Sequence, residues 1–266
     1  MSGVNVEKRG SFENLKNWRR DTVKNLLGDL IESCERLVNR NSLIADKPAF
    51  DPAEFPWTAL LEENADAIKR ECEAVLRFGD EIPSFHELSP DQKSISDDDR
   101  WKTYLLFAMG QKADGNCGRC PETTRVLESI PGMTTAFFSI LAPGKHIPPH
   151  RGIFKGFVRC HLGLQVPERR ADCYMRVADV NLHWEPGKCM VFDDTYDHEV
   201  YNNTDERRVV LLLDVVRPMR YPARLLTRGL MWVGSWTAYI KDAQRNYAVW
   251  EQRFDQAWKD DQEENL

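Results

Sequence analysis

Two histidines and an arginine in the middle of the chain have the types and spacing of a metal site beside an acid-binding side chain. His150 and His198 each lie in a strand-like segment, and Arg208 follows the second histidine at the start of an apolar run. Imidazole nitrogens are common metal ligands, and arginine binds carboxylates through paired hydrogen bonds. The sequence therefore predicts a metal held by two histidines, with an acidic cosubstrate held by the arginine.

Only one member of the His146 and His150 pair is expected to bind that metal. Pro148 and Pro149 lie between them, and proline inside a helix costs ~3 kcal/mol or more, so this segment should be extended. Four extended residues span about 13 Å, which is too far for two ligands of one ion. In non-haem iron oxygenases of the two-histidine, one-carboxylate type, the carboxylate ligand lies two residues after a histidine on a strand. Gly152 occupies that position here, so a strict three-residue ligand set is absent.

Arg208 is expected to point into the protein, where a guanidinium is costly unless it is paired. Asp214 has the same strand parity as Arg208, so a structural ion pair between the two is one explanation. A bound dicarboxylate is the other explanation, and the sequence leaves both open.

The apolar periodicity changes from helical to strand-like near residue 134. Helical patterns cover about 12–39, 57–78 and 123–129, and another covers about 223–258. Between them, strand-like segments fall at about 134–141, 156–166, 173–177, 188–192, 198–201 and 209–216. Short, regularly spaced strands with turn residues between them indicate a sandwich or barrel. We therefore predict a mainly β core with flanking helices.

This periodicity also suggests a division of the chain. We assign residues 1–48 to an N-terminal amphipathic helix and linker, and residues 49–266 to one main domain. Within that domain we expect a helical lead-in at 49–129, a β core at 130–219 and a C-terminal helix at 220–266. The first half of the 12–39 helix is basic on its polar side, so it could contact an anionic membrane. Packing against its own domain or a partner subunit is the alternative that we favour.

The composition argues against several functional classes. A net charge of −6 and a pI near 5.6 disfavour nucleic-acid binding. The N-terminus lacks the apolar core of a signal peptide, and no apolar run reaches the ~20 residues of a spanning helix, so we expect a soluble, cytoplasmic protein. Seven cysteines without a framework pattern indicate reduced thiols. Cys117 and Cys120 are interpreted as two thiols in a turn rather than half of a zinc site.

The central hundred residues carry a set of motifs whose order and spacing are specific together. These segments are Cys120–Thr124, Phe138–His146, Pro149–Gly152, Arg159–Leu164, Trp184 with Gly187, Phe192–Val200 and Arg208–Pro218. The stretch resembles the aspartyl/asparaginyl β-hydroxylase family of Fe(II)/2-oxoglutarate dioxygenases, which also includes lipid A hydroxylases. The resemblance implies a double-stranded β-helix, a jelly-roll or cupin-like barrel, that uses Fe(II), 2-oxoglutarate and O2.

The resemblance also implies a role for each matching residue. His150 and His198 would hold the iron, and Arg208 would bind the distal carboxylate of 2-oxoglutarate. The positions that match cosubstrate contacts in the family are Ser139, Arg159 and His161. Aspartyl hydroxylases carry glycine at the position of Gly152 and leave a water at the iron there, so Asp194 would accept a hydrogen bond from that water.

The substrate is less defined by the motifs. Gly152 favours hydroxylation of an Asp- or Asn-type side chain, whether free, peptidyl or carrier-bound. The stretch from Asp46 to Asp51 and the chain length resemble the lipid A branch instead, so a fatty-acyl substrate is the alternative. A small-molecule, peptide or lipid substrate is expected, and no nucleic acid. Two alternatives of other classes are a non-catalytic cupin-like binding protein and a zinc-dependent hydrolase.

Overall fold

The structure is a computed structural model that describes residues 33–88, 95–152, 154–225, 227, 229, 250–251, 253–261 and 263. Its α-helices with defined bounds are α1 (Trp57–Glu63), α2 (Ala65–Leu76), α3 (Phe85–Leu88), α4 (Asp114–Arg119) and α5 (Pro121–Glu128). Residues 33–41, 223–225, 250–251 and 253–261 are also helical. Most of the predicted N-terminal helix, residues 12–32, and the middle of the predicted C-terminal helix lie outside the described residues.

Two antiparallel sheets form the core. The strands are β1 (Ala49–Phe50), β2 (Trp101–Ala108), β3 (Gln111–Lys112), β4 (Met133–Leu141), β5 (His146–His150), β6 (Phe157–Gln165), β7 (Cys173–Val177), β8 (Val180–His183), β9 (Cys189–Phe192), β10 (His198–Asn202) and β11 (Arg208–Val216). The larger sheet has the order β1-β9-β6-β11-β4-β2-β3, and the smaller one has the order β5-β10-β7-β8. The two sheets pack face to face as a double-stranded β-helix, which confirms the predicted fold class.

Side-chain alternation along β11 explains how this strand contributes to two apolar clusters, one on each face of the larger sheet. Val209, Leu211 and Leu213 belong to the apolar cluster between the larger sheet and the helices. Val210 and Leu212 belong to the second cluster, which lies between the sheets. Because residues two apart on a strand face the same way, the Arg208 side chain points to the same side as Val210 and Leu212, between the sheets. This inner side also holds the candidate site.

Parts of the predicted helical lead-in, residues 49–129, differ in the structure. The helix predicted at 57–78 is two helices, because Asn64 leaves the helical conformation and its side-chain amide donates to the Leu60 carbonyl oxygen at 2.8 Å. Such local side-chain bonds compete with the helix backbone. The lead-in predicted as helical also contributes strand β2, which pairs with β4 and brings Trp101 to the inner side of the sheet.

Candidate active site

His150 and His198 are directly opposite each other on the neighbouring strands β5 and β10. Their ring centroids are 4.1 Å apart. The Nδ1 atom of each ring lies 2.9 Å from the carbonyl oxygen two residues earlier, that of Pro148 or Tyr196. A carbonyl only accepts, so both Nδ1 atoms carry the proton and each Nε2 keeps its lone pair. Backbone carbonyls commonly orient metal-binding histidines in this way, and the pair could hold a divalent metal.

Burial keeps both imidazoles neutral, which is the form that binds metals. Burial lowers the pKa of His150 below its ordinary value. Burial and the neighbouring His150 ring lower the pKa of His198 to about 3. Neither ring therefore needs to lose a proton before it binds a metal at neutral pH.

Arg208 is 1% exposed, and its Nε has no hydrogen-bond partner among the described residues. Its guanidinium lies 4.5 Å from the Trp184 ring, and the contact of one terminal nitrogen with Ser139 Oγ is long, at 3.5 Å. Burial lowers the pKa of Arg208 to about 10, so it stays charged at neutral pH. A structural ion pair with Asp214 is not formed, because that carboxylate binds Arg159 at 2.8 and 3.0 Å.

A pocket lies between the two sheets. Of the predicted site residues it is lined by Ser139, His150, Arg159, His161, His198 and Arg208. His161 Nε2 is buried and has no partner in the described part of the chain. The pocket therefore combines two neutral imidazoles with an uncompensated guanidinium and a second unsatisfied ring nitrogen. Such a set of groups suits a metal next to an anionic ligand.

Comparison with known proteins identifies the family. The model of the aspartyl/asparaginyl beta-hydroxylase family matches residues 62–218. The chain belongs to this family. An ornithine lipid ester-linked acyl 2-hydroxylase of Rhizobium tropici is 43% identical over 225 residues, which cover 85% of this chain and 80% of that protein.

The other comparisons are more distant. The human aspartyl/asparaginyl beta-hydroxylase is 31% identical over 194 residues, which cover 70% of this hydroxylase-family chain but 24% of the human protein. Among solved structures, a Pseudomonas putida prolyl-4-hydroxylase aligns with 60% of this chain and 98% of its own at 19% identity and a TM-score of 0.37.

Gly152 and Asp194 form a close contact near the histidine pair. The Gly152 amide donates to the Asp194 carbonyl oxygen at 2.7 Å. A Cβ atom at Gly152 would lie 2.5 Å from Cγ and both Oδ atoms of Asp194. Burial raises the pKa of Asp194 to about 6, against the lowering effect of Arg159, which is 3.1 Å from its carboxylate. The carboxylate thus stands where a side chain at position 152 would begin.

No group of three or more histidine, cysteine or acidic side chains in the described ranges is arranged to hold a metal ion. The histidine pair therefore stands without a third protein ligand in that part of the chain. His146 contacts Glu199 at 3.0 Å, and its side chain is 42% exposed. Cys117 and Cys120 are buried free thiols at the end of α4. The helices of the described part include none that is both long and apolar enough to span a bilayer.

Sequence reasoning missed the contacts of two tryptophans with site residues. Trp101 Nε1 donates to Ser139 Oγ at 3.0 Å, and Trp184 Nε1 donates to His161 Nδ1 at 3.2 Å. A buried indole N–H usually finds an acceptor, so Trp184 within the family motif was a usable signal. The remaining apolar lining is Ile147, Met175, Phe192, Val200 and Leu212.

Proposed function

We propose that this protein is an Fe(II)- and 2-oxoglutarate-dependent hydroxylase that acts on an acyl chain of a membrane lipid. The observation that carries the cosubstrate assignment is the buried Arg208 guanidinium, which has no carboxylate partner among the described residues. A buried charge needs a partner, and a small dicarboxylate in the adjoining pocket supplies one. Family membership supports the hydroxylase class.

The residues of the pocket fit an iron ion and a dicarboxylate. His150 and His198 would hold the iron through their Nε2 atoms, and Arg208 would bind the distal carboxylate of the cosubstrate. Iron, 2-oxoglutarate and O2 together supply the oxidising chemistry that inserts one oxygen atom into a C–H bond. The protein contributes orientation and charge, and the apolar lining of the pocket keeps water from the buried guanidinium.

The similarity to an acyl 2-hydroxylase over most of both chains supports a lipid substrate. A second observation agrees with it. The large apolar side chains that are exposed in the described residues are Leu37, Leu43, Tyr221 and Leu225, which we call the apolar patch. Backbone bonds join their two segments, since the Leu43 amide donates to the Pro218 carbonyl and the Arg220 amide to the Asn41 carbonyl. Exposed apolar groups next to arginines are typical of proteins that touch anionic membranes.

The proposed function is tested with protein loaded anaerobically with Fe(II). In the presence of O2, we expect one succinate and one CO2 per 2-oxoglutarate, and a lipid product that gains one oxygen atom by mass spectrometry. Because two protein ligands hold a metal less firmly than three, a mild chelator should abolish turnover, and Fe(II) but not Zn(II) should restore it. An oxidised Asp- or Asn-containing peptide, with no lipid product, would favour the second substrate class. Binding of 2-oxoglutarate without any succinate would indicate a binding protein.

The apolar patch leads to a separate prediction about lipid vesicles. Replacing both Leu43 and Tyr221 with serine should lower the partitioning of the protein onto anionic vesicles about 30-fold, because each inserted apolar side chain contributes on the order of 1 kcal/mol. Flotation with phosphatidylglycerol vesicles measures this, and Val180→Ser on β8 is the matched control. Equal flotation of the double variant and the wild type would show that the apolar patch does not bind the membrane.

A further inference from the structure

Trp184 touches two of the groups that the proposed function assigns to 2-oxoglutarate. It follows β8 and is 1% exposed. The Arg208 guanidinium lies 4.5 Å from its ring centroid, and its Nε1 is 3.2 Å from Nδ1 of His161. The Trp184 and His161 rings are nearly parallel, with an interplanar angle of 14°. One indole is therefore in contact with both the arginine and the histidine of the pocket.

The hydrogen bond from Trp184 determines which nitrogen of His161 carries the proton. An indole N–H can only donate, so the Nδ1 atom of His161 must accept and must be unprotonated. A neutral imidazole has one proton, which then sits on Nε2. That Nε2 is buried and has no partner among the described residues, and His161 is one of the residues that line the pocket. His161 thus offers an N–H donor to whatever fills the pocket.

We propose that Trp184 is a positioning residue that fixes the Nε2–H tautomer of His161 and supports the Arg208 guanidinium, so that both direct N–H donors at a bound carboxylate. This inference rests on the proposed function. With the other tautomer, His161 would present a lone pair to a carboxylate oxygen, and attraction would become repulsion. Losing a hydrogen bond to a charged group weakens binding by about 10- to 100-fold.

Trp101 provides the matched comparison, because it acts on a different residue of the same pocket. Its Nε1 donates to Ser139 Oγ at 3.0 Å, and Arg208 also approaches that oxygen. With donors at its lone pairs, the hydroxyl is left to donate its own proton to a ligand. Trp101 thus supports Ser139 in the way that Trp184 supports His161. Its own ring stacks on Phe85.

The test compares Trp184→Phe with wild type by two measurements. Phenylalanine keeps a buried ring against Arg208 but removes the N–H. In metal-free protein, ¹⁵N NMR of His161 should show a protonated Nε2 in wild type and a mixture of tautomers in the variant. By calorimetry with Mn(II) in place of iron, the Kd for 2-oxoglutarate should rise about tenfold or more. Trp101→Phe should weaken 2-oxoglutarate binding without changing the His161 tautomer.

A double-mutant cycle shows whether Trp184 acts through the histidine. In a His161→Phe background, Trp184→Phe should change the Kd by less than about twofold, since coupled residues are not additive. A wild-type His161 protonated on Nδ1, or a full effect of Trp184→Phe without His161, would overturn the inference. If wild type binds no 2-oxoglutarate, the proposed function fails, and the tautomer measurement still decides the role of Trp184.

Discussion

Replacing Arg208 with leucine is expected to weaken 2-oxoglutarate binding about 100-fold or more, while the ligand-free protein stays at least as stable as wild type. The guanidinium is fully buried without a carboxylate partner in the described residues, so it costs folding free energy. Leucine fills part of its volume and needs no partner. Removing the guanidinium also removes its stacking on Trp184, which contributes roughly 1 kcal/mol. This loss limits the gain in folding stability. Calorimetry with 2-oxoglutarate and urea unfolding measure the two effects.

Arg217 supplies the matched control, because it is buried to the same extent but paired. It contacts the buried carboxylate of Asp193, and its Nε donates to the Lys155 carbonyl oxygen at 2.8 Å. Breaking a buried ion pair from one side costs about 3–5 kcal/mol, so Arg217→Leu should be strongly destabilised. If Arg208→Leu lost as much stability as Arg217→Leu and still bound 2-oxoglutarate, Arg208 would be structural and the cosubstrate assignment wrong.

Much of the fold follows from the sequence because alternation and turn residues mark the strands. The segment predicted at 173–177 is the strand Cys173–Val177, and β4, β6, β9, β10 and β11 begin and end within one residue of their predicted bounds. Parity also predicted that Arg159 and His161 would share one face, and both line the pocket. Local pattern is enough for this, since the strand period is a property of the chain itself.

Contacts between strands are what the pattern could not supply. Arg208 and Asp214 share a face, but six residues of strand separate them by about 20 Å, so parity alone gave a false partner. The register places Asp214 opposite Arg159 on β6 and Arg208 opposite Leu141 on β4. The tryptophan contacts and the approach of Asp194 to position 152 likewise depend on which strands and turns are neighbours in space.

That approach underlies the second large effect, since Gly152→Ala is expected to lower turnover about 100-fold. The new methyl group would lie 2.5 Å from the Asp194 carboxylate, which would have to leave its place next to Arg159. Overpacking of this kind costs about 1–3 kcal/mol of folding free energy. The larger loss is in activity, because a displacement of about 1 Å at a reacting centre can cost roughly 100-fold. Steady-state succinate formation measures the loss of turnover, and urea unfolding measures the loss of folding free energy.

Gly118→Ala is the control for the substitution itself. Gly118 lies in helix α4, and a methyl group on its Cα would meet no described atom within 4 Å, so alanine should leave turnover unchanged and stabilise the helix by up to about 1 kcal/mol. The double variant Gly152→Ala with Asp194→Gly removes the clash and should recover stability. It should not recover turnover if the Asp194 carboxylate is needed at the site. Full recovery of stability and turnover in the double variant would show that the Asp194 carboxylate is not needed at the site. Unchanged stability and turnover in Gly152→Ala would mean that the turn carrying Asp194 can move aside.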